Sequence, residues 1–480
     1  MKDATDCMST YKSKKQKNII ADIIAIVLLG VWAFFINRHI RVSGLYMDDL
    51  YNWSCFKDMS FKDFVLPAGS TRFRPVYWLA SWVELCVIGN RLWLIVPINI
   101  IILIITAVVC YFYVSDLTES RLIAFFSAFA IVTSRFSYYD VSQLLGLLES
   151  LSMIFVIFIC IELYKFMYDA KGVRFYIALI LYILVCFTHE RYIVLLPMFF
   201  YVLIMTKDKR IPRYILTAVS FIAVLAVRYH YIGTLLPAGT GGTDVADTFT
   251  VSSFIDSVIT EFRYLAGFNA GPEYLCGIPW ETVDFRIQIL VYTGLVLMGF
   301  ILLWFIITVI KNSSSGRSAG HPFRDVAFYL GFIIGCVVSS SVTIRVEMRW
   351  IYSGFVMLVF LIACMYGYIR KTSKDTPVVL AAVIIVLMLL FSIEDIYYRR
   401  SWNNIYLFPN QQRYNSLSDT TWGKYREGIF DKNIYIIGNS FEMSDFTADT
   451  FFRTFDTEGR ADNIKVIHVE TAEEIPAEAW

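Results

Sequence analysis

The stretch Leu92–Val114 reads LWLIVPINIIILIITAVVCYFYV and contains no charged side chain. An α-helix needs about 20 mostly apolar residues to cross the hydrocarbon core of a bilayer, so this stretch predicts a membrane span. Ten further stretches are also mostly apolar, although several of them include a few charged residues. We therefore expect a polytopic α-helical membrane protein with about eleven spans, at residues 19–37, 92–114, 120–135, 142–165, 174–188, 190–206, 213–233, 287–310, 325–343, 350–369 and 377–395.

The composition of the whole chain leads to the same class of protein. Of 480 residues, 57% are hydrophobic and 17% are charged, whereas soluble domains are about 45–50% apolar and about 25% charged. Soluble enzymes and disordered proteins are excluded on this ground. The formal net charge of +1 gives no field that would attract nucleic acid. The aromatic content of 17% suits a protein that anchors at two membrane–water interfaces.

The basic residues of the short connections predict the orientation of the chain. Lys and Arg favour the cytoplasmic side, and they concentrate in alternate connections. We therefore expect a multi-pass protein of the cell membrane with a cytoplasmic segment at 1–18 and an external C-terminus. The basic groups are Lys12/Lys14/Lys15/Lys17, Arg121, Lys165/Lys171/Arg174, Lys207/Lys209/Arg210/Arg213, Lys311/Arg317/Arg324 and Arg370/Lys371/Lys374.

Three larger segments then face outward from a transmembrane domain at 19–395. The loop 38–91 contains an apolar stretch at 73–90, whose charges and Pro75 favour an interfacial helix over a span. The loop 234–286 is the second. The tail 396–480 contains two predicted strands, Asn433–Gly438 and Asn463–Glu470, around a polar helical stretch, so we expect a small α/β appendage.

Nine cysteines show no metal-binding spacing such as CxxC, and no HExxH motif occurs. Most of these cysteines lie in apolar spans, where Cys behaves as a small hydrophobic residue. Cys55 and Cys276 lie in predicted outward loops, so a disulfide between them is one possibility, but the sequence favours free thiols.

Ionisable side chains at membrane depth are costly and are candidates for function. The predicted orientation brings four separate parts of the chain to the outer ends of the spans. The candidate residues on this shared face are Asp48, Asp49, Asp140, Glu149, His189, Glu190, Arg345, Glu347 and Arg349.

The pair Asp48–Asp49 lies between aromatic residues in GLYMDDLYNW. Adjacent carboxylates can act as a general base or bind a divalent cation, and the alternative is a solvated turn. Glu149 lies seven residues into its predicted span. It is either part of a cavity wall or a buried acid paired with Arg or Tyr for packing alone.

His189 and Glu190 stand at the junction of two spans, where they can bind a sugar hydroxyl, a phosphate or a proton. The alternative is a helix break with solvated charges. Arg345 and Arg349 are four residues apart and can hold a phosphate between two guanidiniums. The alternatives are that they extend to lipid headgroups, or that Glu347 holds one of them.

These pieces, in this order, resemble the GT-C superfamily of integral-membrane glycosyltransferases, from about residue 19 to 370. The nearest branch is that of the protein O-mannosyltransferases and the bacterial enzymes that use undecaprenyl-phosphate sugars. An acidic pair in the first outward loop is typical of the family, as in YMDDLY at 46–51, and so is a following Arg-Pro, as in FRPVYW at 73–78.

The later motifs are similar in position. YYDVSQLLGLLES at 138–150 offers Asp140 or Glu149 as the second acid of the family, and THERYIVLLP at 188–197 resembles its Lys/His-Glu element. EMRWIYSG at 347–354 is similar to the late Arg-Tyr-x-x-Pro element, with Trp350 in place of Tyr and without Pro.

The resemblance implies a polyprenyl-phosphate-linked sugar donor from the outer leaflet and transfer, with inversion, to a glycan, lipid or protein acceptor. Asp48 or Asp49 would be the base, and Arg345 and Arg349 would hold the lipid phosphate. Arg74, Asp140, Glu149, His189 and Glu190 would bind substrate. A divalent cation is optional because the leaving group is already a phosphate. The alternatives are a flippase for lipid-linked glycans and a sensor that uses its tail.

Overall fold

The computed structural model describes residues 2–67, 72–235, 245–268, 279–314, 321–343, 346–372, 377–400, 407–431, 433–438, 443, 445–455 and 465–479. Nearly all regular structure in these residues is helical. Within them, eight helices are long and apolar enough to cross a membrane, or nine if one bent pair counts as a span. The chain is therefore an α-helical polytopic membrane protein.

The first span belongs to a long helix and is followed by three short ones. These are α1 (Lys2–Asn37), α2 (Asp48–Asp58), α3 (Phe61–Val65) and α4 (Pro75–Ile88). Helix α4 has 14 residues and is about 21 Å long at 1.5 Å per residue, which is less than the hydrocarbon core of about 30 Å. This length fits the prediction that the apolar stretch at 73–90 forms an interfacial helix and does not span the membrane.

Seven helices form the middle of the chain. They are α5 (Ile95–Thr118), α6 (Arg121–Thr133), α7 (Tyr138–Ser142), α8 (Gly146–Asp169), α9 (Gly172–Thr188), α10 (Leu196–Met205) and α11 (Ile211–Ile232).

Six further helices complete the membrane part. They are α12 (Val245–Thr248), α13 (Val251–Leu265), α14 (Phe285–Ser314), α15 (Pro322–Ser341), α16 (Tyr352–Thr372) and α17 (Pro377–Arg400). Helix α17 passes the predicted end of the last span at residue 395 and continues to Arg400.

Three of the eleven predicted spans do not form one continuous helix of 18 or more residues. The stretch 120–135 forms α6 and then breaks, and a 3-10 turn and α7 continue after a bend of 48°, because the Ser134 hydroxyl accepts the Phe136 N–H and ends the helix. Helix α9 has 17 residues. The stretch 190–206 begins as a 3-10 turn, Glu190–Leu195, before α10. His189 lies between α9 and this 3-10 turn and has extended backbone (φ −145°, ψ 114°).

Helix α16 is the centre of the bundle. In the segment Met348–Thr372, 89% of an 18-residue apolar stretch is buried inside the protein. In the segment Ile19–Asn37 the buried share of the corresponding stretch is only 22%. The exposed side of α1 consists of aliphatic side chains such as Ile23, Val27 and Val31. A helix of this kind faces lipid, because its apolar surface has no protein partner.

Most of the buried charged side chains gather at one end of the bundle, which we call the Asp48 end. It holds the first residues of α8 and α16 and the last residues of α6, α9, α15 and α17, which are joined there by hydrogen bonds. At the opposite end the Arg370 side chain joins the ends of α16 and α5 by donating to the Thr118 carbonyl at 2.8 Å.

The C-terminal segment forms the predicted α/β unit. It consists of α18 (Leu407–Tyr425), β1 (Asn433–Ile437), α19 (Asp445–Arg453) and β2 (Lys465–Val469). The two strands are parallel, with Asn433 opposite Lys465 and Ile437 opposite Val469. Both strands lie where the sequence predicts them.

This unit packs against the residues that lead into α2. The Asn415 side chain accepts the Ser43 N–H at 2.8 Å and donates to the Arg41 carbonyl at 2.8 Å. The Gln411 amide donates to the Gly44 carbonyl at 2.7 Å. A Cβ at Gly44 would lie 2.6 Å from the Tyr414 carbonyl oxygen, so only glycine allows this approach. The tail therefore supports the Asp48–Asp49 segment.

Candidate functional site

The two neighbouring acids of α2 have different surroundings. Asp49 is 1% exposed, and its two carboxylate oxygens accept the backbone N–H groups of Leu144 and Leu145 at 2.8 Å each. These amides precede α8, so Asp49 fixes α2 to the start of that helix. Asp48 is exposed to solvent. Asp48 is thus the accessible acid, and Asp49 is the one that positions it.

The pKa of Asp49 is raised from its ordinary value to about 7. Burial is the main cause, and the two hydrogen bonds from Leu145 and Leu144 oppose it. A carboxyl group with this pKa changes its protonation state near neutral pH.

Arg349 lies at the Asp48 end of the bundle. Its guanidinium carbon is 3.9 Å from the ring centroid of Tyr139, and its Nε is 2.5 Å from Oε2 of Glu347. Electrostatic interactions also connect Arg349 with Asp48 and Glu149. Glu347 therefore holds Arg349, as one of the sequence interpretations has it, and the guanidinium lies between three carboxylates and an aromatic face.

Arg74 and Glu190 form the best-defined ion pair of this end. Arg74 Nε lies 2.7 Å from Glu190 Oε2, and Arg74 Nη2 lies 2.9 Å from Glu190 Oε1. Both side chains are nearly enclosed. This paired geometry joins the 38–91 segment to the junction after α9.

His189 lies between two acids. Its Nε2 is 3.7 Å from Glu149 Oε1, and its Nδ1 is 3.7 Å from Glu190 Oε2, which is too long for hydrogen bonds. Burial, with the positive charges of Arg74 and Arg191, holds the pKa of His189 well below its ordinary value. The imidazole is therefore neutral at pH 7.

The two candidates for the second acid both lie near the start of α8. Glu149 is paired with Arg191. Asp140 accepts the Ser150 hydroxyl at 3.4 Å and interacts electrostatically with Glu149. Gly146 makes this possible, because a Cβ there would overlap the Asp140 carbonyl. The fold thus brings Asp140 and Glu149 together, and each keeps a different partner.

Three residues of this cluster are absent from the predicted site. Arg191 pairs with Glu149, Tyr139 faces Arg349, and Glu261 of α13 is fully buried with its Oε2 accepting the Ser340 hydroxyl at 2.6 Å. Burial raises the pKa of Glu261 to about 8. A signal for Glu261 exists, because it continues the helical series Phe254, Val258, Leu265, which is otherwise apolar.

A second group of buried charges lies at the break between α6 and α7. Arg135 contacts Glu394 at 3.3 Å and Asp395 at 3.0 Å. Arg399 donates to Asn37 Oδ1 and to the Ser134 carbonyl, both at 2.8 Å. These contacts join α1, α6 and α17, so this group stabilises the Asp48 end.

An apolar groove of about 560 Å³ lies between α4, α5 and α8. Among its lining residues are Val83, Ile102 and Leu147, and its one ionisable side chain is Glu84. Neither carboxyl oxygen of Glu84 has a hydrogen-bond partner in the described part of the chain. Burial, and then the charge of Asp49, raise the pKa of Glu84 well above its ordinary value. The groove therefore reaches the surroundings of Asp49.

Some predicted residues lie outside the described ranges. Arg345 is one of them, so the pair Arg345–Arg349 has only its second member in the structure. Cys276 is another, whereas Cys55 is a free thiol. Across the residues that the structure describes, no group of three or more His, Cys, Asp or Glu side chains has the arrangement of a metal site.

Of the predicted site residues, the structure brings Asp48, Asp49, Arg74, Asp140, Glu149, His189, Glu190 and Arg349 to the Asp48 end. Their arrangement offers an accessible carboxylate, a held guanidinium and a neutral imidazole. No known protein-family model matches the chain, and no curated protein matches it.

Proposed function

We propose that the chain is an extracytoplasmic glycosyltransferase of the cell membrane, of the GT-C type. It moves a sugar from a polyprenyl-phosphate-linked donor to a glycan, lipid or protein acceptor, with inversion at the anomeric carbon. One observation carries the proposal. The solvent-exposed acid Asp48 interacts electrostatically with the enclosed cation Arg349, and both interact with Tyr139, whose ring lies 3.9 Å from the Arg349 guanidinium carbon.

The two side chains supply the two halves of the reaction. The Asp48 carboxylate takes the proton of an acceptor hydroxyl, and the hydroxyl oxygen forms a bond to the anomeric carbon from the face opposite the phosphate. The bond between that carbon and the phosphate oxygen breaks, and its electron pair leaves with the lipid phosphate. Arg349 stabilises the added negative charge because its guanidinium is already held by Glu347 and Tyr139.

The apolar groove between α4, α5 and α8 supports a lipid-linked donor. Its walls are aliphatic, so an isoprenoid chain can lie there without exposing its surface to water. The polar end of such a chain would then lie near Asp49, because Glu84 in the groove wall interacts with it. A divalent cation bound by Asp48 is an optional addition.

The orientation of the site follows from the charge pattern of the sequence. We propose eleven crossings, with the N-terminus in the cytoplasm and the C-terminal unit outside. The Asp48 end then faces the exterior. Helix α9, the 3-10 turn Glu190–Leu195 taken together with α10, and the bent pair α6–α7 would supply the three crossings beyond the eight long helices.

The test is a comparison of surface glycans from a deletion strain complemented with wild-type protein, Asp48→Asn or Glu281→Gln. Glu281 is an exposed acid on a predicted outward segment, so it is the matched control. We expect that Asp48→Asn, although present in the membrane at wild-type level, fails to restore one hexose increment by mass spectrometry. Restoration by Asp48→Asn would overturn the proposed base.

The same experiment separates transfer from transport. Loss of a transferase leaves a polymer that lacks one sugar and lets the monosaccharide donor accumulate. Loss of a flippase would instead retain a complete lipid-linked glycan on the inner leaflet. Accumulation of the complete glycan would favour the flippase alternative over the proposed enzyme.

A further inference from the structure

A second cavity, of about 600 Å³, lies at the opposite end of the bundle, away from Asp48. Helices α5, α8 and α16 end beside it, and α15 begins there at Pro322. Cys364 lies at its inner part, eight residues before the end of α16, which corresponds to a depth of about 12 Å at 1.5 Å per residue. The cavity is therefore deep enough for a small polar group.

Most charges around this cavity are already paired. Arg174 contacts Asp169 at 2.6 Å and Glu162 at 3.1 Å. Asp325 contacts Arg324 at 3.0 Å and accepts the Tyr168 hydroxyl. Arg174 thus lies between two acids, and these contacts hold the ends of α8, α9 and α15 together.

Two lysines remain after this pairing. Lys165 of α8 and Lys371 of α16 both line the cavity, and no carboxylate in the described ranges lies within ion-pair distance of either. Asp116 is the acid that lines the cavity without a described ion pair. The charges around the cavity balance overall, four basic against four acidic, but these two ammonium groups stand on different helices, line the same space and have no carboxylate at ion-pair distance in the described ranges.

The start of α15 places a further partial positive charge beside the two lysines. Its N-cap, His321, makes no side-chain cap hydrogen bond, and Pro322 is its first residue. A helix of 20 residues carries about half a positive charge at its N-terminus. Anions, phosphate groups among them, are favoured at such a place.

Aromatic side chains form much of the remaining lining of the cavity. Tyr164 and Tyr368 contribute rings within five residues of the ends of α8 and α16, and Phe305 contributes one from further inside α14. Aromatic side chains concentrate at the membrane–water interface, where they contact headgroups. This position favours a phosphate that belongs to a lipid over one that is free in solution.

We propose that this cavity binds the phosphate of a membrane phospholipid headgroup, with Lys165 and Lys371 as its two cationic contacts. The lysines donate charge-assisted hydrogen bonds to the phosphate oxygens, and the aromatic rings contact the glycerol region. Bound lipid then joins α8 to α16 at the end opposite the Asp48 cluster. The site is independent of the proposed transfer reaction.

The test uses the full-length protein in a nonionic detergent and measures thermal unfolding with added dihexanoyl-phosphatidylglycerol. We expect a concentration-dependent rise in melting temperature, because a ligand that binds the folded state stabilises it. Dihexanoylglycerol lacks the phosphate and should have no such effect. Glycerol 3-phosphate lacks the chains and should act only at much higher concentration.

Variants identify the contacts. Lys165→Gln and Lys371→Gln should each weaken the lipid effect by about tenfold or more, the scale of one hydrogen bond to a charged group. Lys165→Arg and Lys371→Arg keep the charge and should retain most of the effect. Lys209→Gln, at an exposed lysine away from the cavity, is the matched control.

Two results would overturn the proposal. The first is an unchanged lipid response in the double variant Lys165→Gln/Lys371→Gln. The second is an equal response to glycerol 3-phosphate and to the lipid, which would assign the cavity to a soluble phosphate compound. Should the double variant not fold, the single variants and the Arg replacements decide between these outcomes.

Discussion

The guanidinium of Arg74 and the carboxylate of Glu190 form two parallel hydrogen bonds, of 2.7 and 2.9 Å, across 116 residues of sequence. Arg74 immediately precedes α4, and Glu190 begins the 3-10 turn after α9. Because both side chains are nearly enclosed, neither charge has water as an alternative partner. The pair therefore fixes the interfacial helix to the bundle beside His189.

A double-mutant cycle measures the strength of this connection. Removing one partner of a buried ion pair costs about 3–5 kcal/mol, because the other charge is left without compensation. We expect Arg74→Ala and Glu190→Ala each to lose stability on this scale in equilibrium unfolding. The double variant should lose less than the sum, with an interaction energy of about 2–3 kcal/mol.

The pair Arg41–Asp419 provides the comparison for this cycle. It has a similar N–O distance, 2.7 Å, but its side chains are 63% and 43% exposed. Exposed pairs contribute about 0–1 kcal/mol. Equal interaction energies in the two cycles would contradict the enclosed position of Arg74 and Glu190.

Asp49 should give the protein a specific pH dependence. Its folded-state pKa is about 7, above the ordinary 3.8, so the folded state binds the proton more tightly than the unfolded chain. The contribution of this proton to stability is complete below about pH 4 and is lost as the pH rises to about 7, with a slope of at most about 1.4 kcal/mol per pH unit.

The measurement compares the pH profile of the free energy of unfolding for wild-type protein and Asp49→Asn. The variant cannot ionise at this position, so its profile should lack this slope between pH 4 and 7. Asn has one acceptor for the two backbone N–H groups, so a constant loss of stability is also expected. Parallel profiles over this range would refute the assignment.

A paired substitution separates the structural role of Arg349 from its proposed role in binding the lipid phosphate. Arg349→Gln alone leaves the fully buried Glu347 without its cation, and we expect a loss of about 3–5 kcal/mol of stability. Glu347→Gln/Arg349→Gln removes both charges and should recover most of it.

The double variant then tests binding of the lipid phosphate in a folded protein. If Arg349 contacts the donor phosphate, donor affinity should fall by about 1.5–3 kcal/mol, the range for a hydrogen bond to a charged group. Titration with a polyprenyl phosphate provides the value. Wild-type affinity in the double variant would leave Arg349 with a structural role only.

Gly44 links the C-terminal unit to the acidic segment. A Cβ at this position would lie 2.6 Å from the Tyr414 carbonyl oxygen and 2.8 Å from a ring carbon of Phe451. We expect Gly44→Ala to cost about 1–3 kcal/mol, as overpacking does, and to expose α18 and α19 to limited proteolysis.

Gly299→Ala is the control for this substitution, because a Cβ at Gly299 of α14 meets no atom within 4 Å. It should leave both the proteolysis pattern and glycan transfer unchanged. Gly44→Ala should lower transfer as well, since Asp48 lies four residues further along the same segment. Normal transfer with an undocked tail would mean that α2 holds its position without the C-terminal unit.

Much of the fold can be predicted from local sequence. Long runs such as Leu92–Val114 form helices because backbone polar groups in lipid must be satisfied within the segment. The strands Asn433–Ile437 and Lys465–Val469 also follow from their β-branched pattern. The break at Ser134 is not visible in the apolar run, because it depends on one side-chain hydrogen bond.

For the site, the sequence by itself determined which residues carry charge. It also determined that these residues lie at the same ends of the helices, because the lengths of the helices and the positions of the basic loops can be read from local sequence. Only the tertiary structure decided their partners. It assigned Arg74 to Glu190, Arg191 to Glu149 and Asp49 to the start of α8. The physical reason is that pairing and burial depend on which helices pack together, and residues far apart in the chain carry no local signal of that contact.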